Sequence, residues 1–292
     1  MNNNLTGYPS IDKPWLKYYT EEQINSVIPE KLVYDYMRDR NKNNLNLTAI
    51  TFMGQEYTYA QLFEIIDKAA DALLSLGVSE GEVITMLIPV CPEEVFLFYA
   101  INKIGAISNF IMPATPKEKV CAIMNEHESR FLFAFPFFLE DEAYIYDNTK
   151  CKNIILTQGI MEYKNTNTLV WDNFLSMADK CDKKGYKTKK NPKDTMFIAK
   201  TGGTTGVSKS VMLSDNAFNA AVDQIITAVK EYKTGDRWLR LWPAFSATVA
   251  AAAIHLPLSV GMNNTFDMLE DFKDFDNLVM KYKPNHLELF QC

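Results

Sequence analysis

The residues with the most chemical content stand together: Thr201, Gly202, Gly203, Thr204, Thr205, Gly206, Val207, Ser208, Lys209 and Ser210. Glycines let a backbone take positive φ angles and turn several N–H groups toward one point. Such a concave array of amides binds anions. Thr201, Thr204 and Thr205 add hydroxyl donors, and Lys209 adds an ammonium on a flexible stem, suited to phosphate. The composition predicts a grip on a polyphosphate. It is not a Walker A loop, which needs Gly directly before Lys; here Ser208 precedes Lys209. Nor is it the dinucleotide fingerprint, since no GxGxxG occurs in it. The bland alternative is a flexible turn without a ligand. Three threonines, the lysine and a strand-to-helix setting favour phosphate over that alternative.

The elements around the loop read as an α/β framework. Met196 to Ala199 is a short apolar strand entering it. Ser214 caps a following helix whose inward face is Phe218, Ala221, Val222, Ile225, Ile226 and Val229. Upstream, Thr58-Tyr59-Ala60-Gln61 is a capping box opening a helix that Gly77 stops. Val83 to Ile88 is a buried strand, Pro92 to Gly105 a helix, and Ala106 to Met112 a second strand, which makes a βαβ unit. Thr115-Pro116-Lys117-Glu118 reads as another capping box, and Arg130–Phe135 and Asn153–Leu156 read as further strands. This alternation predicts α/β sheets flanked by helices.

Bulk properties narrow the function. Lys plus Arg is 30 and Asp plus Glu 36, a net charge of −6. A mildly acidic chain has no general attraction for nucleic acid or anionic membrane, so any phosphate site is local. Five cysteines without a CxxC exclude a zinc knuckle and a disulfide framework. Reduced thiols and a start that is no secretory signal fit a cytoplasmic protein. Lys180–Lys193 is rich in lysine but lacks interleaved aromatics for stacking, and reads as a solvated linker. Leu241–Phe266 carries no charged side chain, yet Pro243 and Pro257 interrupt it. It reads as a buried core helix, with no transmembrane segment. His127 reads as a surface residue at a helix end and His255 as a core residue; with His286 they are too scattered for a metal site.

Thr201 to Val211 resembles the signature loop of the adenylate-forming enzymes, [ST]-[SG]-G-[ST]-T-G-x-P-K-G-V. Ser208 stands where Pro is usual and Ser210 where Gly is usual. The likeness continues in order and spacing from about residue 30 onward. Thr58–Leu62 resembles the family's T-Y-x-E-L, Leu76–Val83 its L-G-V-x-x-G-D-x-V, Ile88–Glu93 its L-P-N-S-P-E, and Lys103–Ala106 its K-x-G-A. The chain thus resembles the N-terminal portion of an acyl-CoA synthetase type enzyme.

The resemblance implies a mechanism in which a carboxylate attacks the α-phosphorus of ATP, with Mg2+ neutralising charge, pyrophosphate leaves, and a thiol such as coenzyme A takes the acyl group. It implies that Thr201, Gly202, Gly203, Thr204, Thr205, Gly206 and Lys209 hold the β- and γ-phosphates. Ser246 falls where the family often has a His, and receives no catalytic role. Asp236 falls at the wrong place for the family's ribose-gripping Asp. The resemblance puts the adenine loop, the magnesium carboxylate, the ribose Asp and the small C-terminal domain beyond Cys292. Residues 1–30, polar and irregular with several aromatics, read as an arm over the surface, and the resemblance implies that residues 31–292 are an incomplete AMP-binding domain, inactive alone and without catalytic residues of its own. The alternatives are a non-catalytic scaffold module and part of an amino-acid adenylation domain.

Overall fold

The computed structural model describes residues 5–158, 166–201, 209–267 and 275–288. Two short helices, α1 (Pro9–Asp12) and α2 (Glu21–Ile24), lead to α3 (Val33–Arg40), the hairpin β1 (Thr48–Phe52) and β2 (Gln55–Thr58), and α4 (Tyr59–Ser75). Thr58 Oγ1 accepts from Gln61 N at 3.2 Å and Gln61 Oε1 accepts from Thr58 N at 2.8 Å, the capping box expected of these residues. Gly77, at φ +82°, ends the helix in the left-handed conformation that favours glycine.

The βαβ unit follows as β3 (Val83–Leu87), α5 (Pro92–Lys103) and β4 (Ile107–Phe110). Next come α6 (Lys117–Glu126), β5 (Phe131–Ala134), α7 (Glu142–Asn148), β6 (Asn153–Leu156), β7 (Thr168–Val170) and α8 (Trp171–Ser176). Then β8 (Thr195–Lys200) and β9 (Ser210–Ser214) flank the glycine–threonine loop, and α9 (Asp215–Ala228) follows. The remainder is β10 (Arg237–Arg240), α10 (Ala247–Val249), a π-helical stretch Ala250–His255, α11 (Leu256–Val260), β11 (Asn263–Phe266), α12 (Phe275–Tyr282) and β12 (His286–Leu287).

Among the described residues these strands make two sheets. The first has the order β7-β6-β5-β3-β4-β8-β9 and is parallel apart from β9, which runs antiparallel to β8. The second, β12-β10-β11-β1-β2, is parallel apart from the β1–β2 hairpin. One apolar core takes in Ile84, Phe110 and Phe197 of the first sheet, Ile50 and Phe266 of the second, and Leu97, Phe98 and Tyr99 of α5. α5 is apolar nearly all round because it is packed on nearly every side.

Four local expectations change. Thr115 does not cap α6: its hydroxyl donates to Met112 O at 2.5 Å, and the helix starts at Lys117 with Pro116 at the cap. The uncharged run is not one helix. Gly261, at φ +91°, stops α11, and Asn263–Phe266 becomes a buried parallel strand. Ala221 is exposed on α9, and the buried apolar residues there are Phe218 and Val222. His127 is no surface residue, since its side chain is only 7% exposed. His255 is buried as expected. Its Nε2 donates to Asn219 Oδ1 at 2.9 Å, while Nδ1 faces the hydroxyls of Tyr99 and Ser259. Burial pushes its pKa down to about 3, so it stays neutral.

Candidate functional site

The glycine–threonine loop is the tip of a hairpin, not a turn running straight from strand to helix. After a register shift between Thr195 and Phe197, β8 and β9 pair in step from Phe197 and Leu213 up to Lys200 and Ser210. Beyond it, Thr201 N donates to Lys209 O at 2.9 Å and Lys209 N donates to Thr201 Oγ1 at 3.0 Å. The loop thus leaves from a closed neck, with Thr201 and Lys209 both exposed at its mouth. Gly202, Gly203, Thr204, Thr205 and Gly206 lie outside the described residues. The neck sits at the carboxyl end of β8, beside its parallel neighbour β4. That end of an open parallel sheet is where α/β proteins bind ligands.

A second group of charged residues lies at the carboxyl ends of the other sheet. Arg240 closes β10, and Glu94 stands in the first turn of α5. Both side chains are fully buried, and Arg240 Nη1 donates to Glu94 Oε2 at 2.5 Å. Ala244 N donates to the other Glu94 oxygen at 2.5 Å, and the guanidinium lies 4.5 Å above the Phe266 ring. Burial pushes the Glu94 carboxyl up, against the pull of Arg240. Glu94 thereby fixes the turn from Trp242 to Ser246 that delivers the alanine-rich helix. Ser246 Oγ accepts from Val249 N at 3.3 Å, a cap in place of the family's His. α10 packs against β8, so this helix starts close to the strand that carries the loop.

Glu288, just past β12, is 5% exposed, and its carboxyl has no hydrogen-bond partner among the described residues. Burial pushes it up to about 8, with Arg240 opposing and the Glu94 charge assisting. Its folded value lies above the ordinary 4.5. Between those two values the native chain holds more protons than the unfolded chain, so stability falls as pH rises. Glu288→Gln should flatten that slope, making the variant more stable than the parent at pH 8 by at least about 1 kcal/mol and similar to it near pH 4.5. Denaturant melts across this range check it; two parallel curves would exclude the carboxyl as the cause.

Sequence reasoning missed Glu94, Arg240 and Glu288, and also Glu126 and Lys200 beside the neck, where His127, read as a surface residue, joins them. Only the Ser at 210, in place of a usual Gly, hinted at the last group. Asp236 directly precedes β10, and its Oδ2 accepts from His286 Nε2 at 2.9 Å. Among the described residues no group of three His, Cys, Asp or Glu could hold a metal ion, and no helix is long and apolar enough to cross a membrane.

Two helix-flanked, mostly parallel sheets define an α/β protein, with Thr201 and Lys209 bonded to each other at the carboxyl end of β8 in the first of them. The sequence model of the AMP-binding enzyme family matches residues 37–289, and the chain belongs to that family. It is similar to a probable 4-coumarate–CoA ligase of Dictyostelium discoideum, with 24% identity covering 91% of this chain and 51% of the relative. It is also similar to an acetyl-coenzyme A synthetase of the same organism, with 24% identity covering 70% and 32%. Its fold is similar to an anthranilate CoA ligase in complex with anthranoyl-AMP, at TM-score 0.78 and 19% identity, covering 91% of this chain and 50% of that one. A long-chain-fatty-acid-CoA ligase of Archaeoglobus fulgidus gives 0.76 and 20%, covering 89% and 51%. The chain thus spans a third to a half of the length of these curated relatives.

Proposed function

We propose that this chain supplies the ATP-polyphosphate grip and one wall of the acid pocket of an AMP-forming carboxylate–CoA ligase. In this reading Thr201, Gly202, Gly203, Thr204, Thr205, Gly206 and Lys209 hold the β- and γ-phosphates, within a domain spanning residues 31–292 behind an arm of residues 1–30. The observation that carries it is the closed neck: Thr201 and Lys209, bonded to each other, present the motif's hydroxyl and ammonium residues at one mouth. A charge-assisted contact from a lysine to a phosphate adds strength at low geometric demand. Mg2+ would come with the nucleotide and would neutralise charge on its phosphates.

The acid side of the pocket is the alanine-rich helix beginning at Ala247. Ala250 and Ala253 are buried, while Ala251 and Ala252 are half-buried and small enough to leave room for an acyl chain. The relatives' names point to a carboxylic acid and coenzyme A as co-substrates. The reading gives this chain no catalytic residue of its own, so by itself it binds Mg·ATP without making an acyl-adenylate. Calorimetric titration with Mg·ATP, followed by a pyrophosphate assay over a panel of carboxylic acids, tests both parts. Absence of ATP binding would sink the grip, and pyrophosphate release with any acid would sink the inactivity.

A further inference from the structure

The two strands that carry the loop are tied to a helix where they part. Lys200 ends β8 and Ser210 begins β9; as register partners they project from one face of the hairpin. That face meets the C-terminal end of α6. Lys200 Nζ donates to Glu126 Oε2 at 2.7 Å, and Ser210 Oγ donates to Glu126 Oε1 at 2.7 Å. Lys200 Nζ also donates to Ser210 Oγ at 2.7 Å. His127 Nε2 stands 3.2 Å from the same hydroxyl. Ser210 Oγ gives its single proton to Glu126, so it accepts from His127, and Nε2 carries the imidazole proton. The hydrogen bonds from Lys200 and Ser210 hold the Glu126 carboxyl below its usual range, and burial pushes His127 down. The Ser210 hydroxyl thus joins the Lys200 side chain, the Glu126 carboxylate and the His127 imidazole in one group.

One carboxylate therefore spans both strands at the base of the loop. A glycine at 210, usual in the family's motif, has no side chain to complete this bridge. We infer that Glu126 and Ser210 are positioning residues for nucleotide binding. They clamp the neck so that the Thr201 and Lys209 backbone is already ordered when polyphosphate arrives. This deepens the proposed phosphate grip and rests on it. Ordering one backbone residue costs about as much free energy as a tenfold change in affinity. Release of the clamp should therefore weaken Mg·ATP binding about tenfold.

Glu126→Gln, Ser210→Gly and Ser210→Thr, made singly in the full chain, test this. Three quantities are read: amide exchange at Thr201 and Lys209 against the core-strand amides of Ile84 and Phe133, Mg·ATP affinity, and thermal stability. Glu126→Gln and Ser210→Gly should exchange about tenfold faster at the neck alone and bind Mg·ATP about tenfold more weakly. Ser210→Thr keeps the hydroxyl and should match the parent. Unchanged neck exchange overturns the clamp. So does faster exchange at neck and core together with affinity intact, which marks a purely structural role. If the unaltered chain binds no Mg·ATP, the phosphate reading fails, and neck exchange alone then decides the clamp.

Discussion

Lys209→Ala should weaken Mg·ATP binding by about ten- to a hundredfold, the range of one hydrogen bond to a charged group. Lys209 is exposed at the loop mouth, and its side chain makes no hydrogen bond or ion pair in the described structure. Its backbone bonds to Thr201 are kept in the variant. Thermal stability should accordingly stay within about 0.5 kcal/mol of the parent, as for ordinary surface substitutions. Lys209→Arg should recover part of the affinity, because it keeps the charge but not the compact ammonium. Titration calorimetry with Mg·ATP, paired with a thermal melt, reads both. Equal affinity for parent and alanine variant would remove Lys209 from the site.

Arg240→Met should cost about 3–5 kcal/mol of stability, the range for removing one partner of a buried ion pair. Glu94 would keep one bond, from Ala244 N, and lose its counter-charge in a fully buried setting. With Glu288 nearby, the core would hold two acidic groups and no cation, and both would need to stay protonated. Arg240→Met combined with Glu94→Gln should restore much of the loss, since an apolar and amide replacement leaves no lone charge. Denaturant unfolding of the four proteins forms a double-mutant cycle. A single Arg240→Met loss below about 1 kcal/mol would show that the pair holds nothing together.

Local signals were legible where the chain decides its own conformation. The Thr58 capping box and the Gly77 stop involve partners three residues apart or a single φ angle, so residue types alone specify them. The inner strands of the first sheet were legible because β3, β5 and β6 are almost wholly buried and read as short, mainly apolar runs. The second sheet was not. It joins β1 to β11 across about two hundred residues of sequence, and nothing local marks that pairing. β11 itself, Asn-Asn-Thr-Phe, lacks apolar character because Asn263, Asn264 and Thr265 are buried through hydrogen bonds to Thr51, Ala253 O and each other.

The site was legible in its residues and less so in its setting. The glycine–threonine–lysine composition announces an anion grip. That the loop is a hairpin tip depends on β9 pairing with β8, and Ser210–Ser214 reads as strand only once that pairing is known. Thr115 satisfied the capping-box pattern yet its hydroxyl turned back to Met112 O, a competing local acceptor. The charged groups at Arg240 and at Glu126 come from elements 146 and 84 residues away from their partners. Sequence spacing holds no trace of such contacts.

A crystal structure of the chain with Mg·ATP would decide whether the loop is the phosphate site. The β- and γ-phosphate oxygens should lie within hydrogen-bond reach, about 3 Å, of the loop amides and of Lys209 Nζ. A nucleotide seated elsewhere, or a Lys209 ammonium turned away from the phosphates, would contradict that assignment.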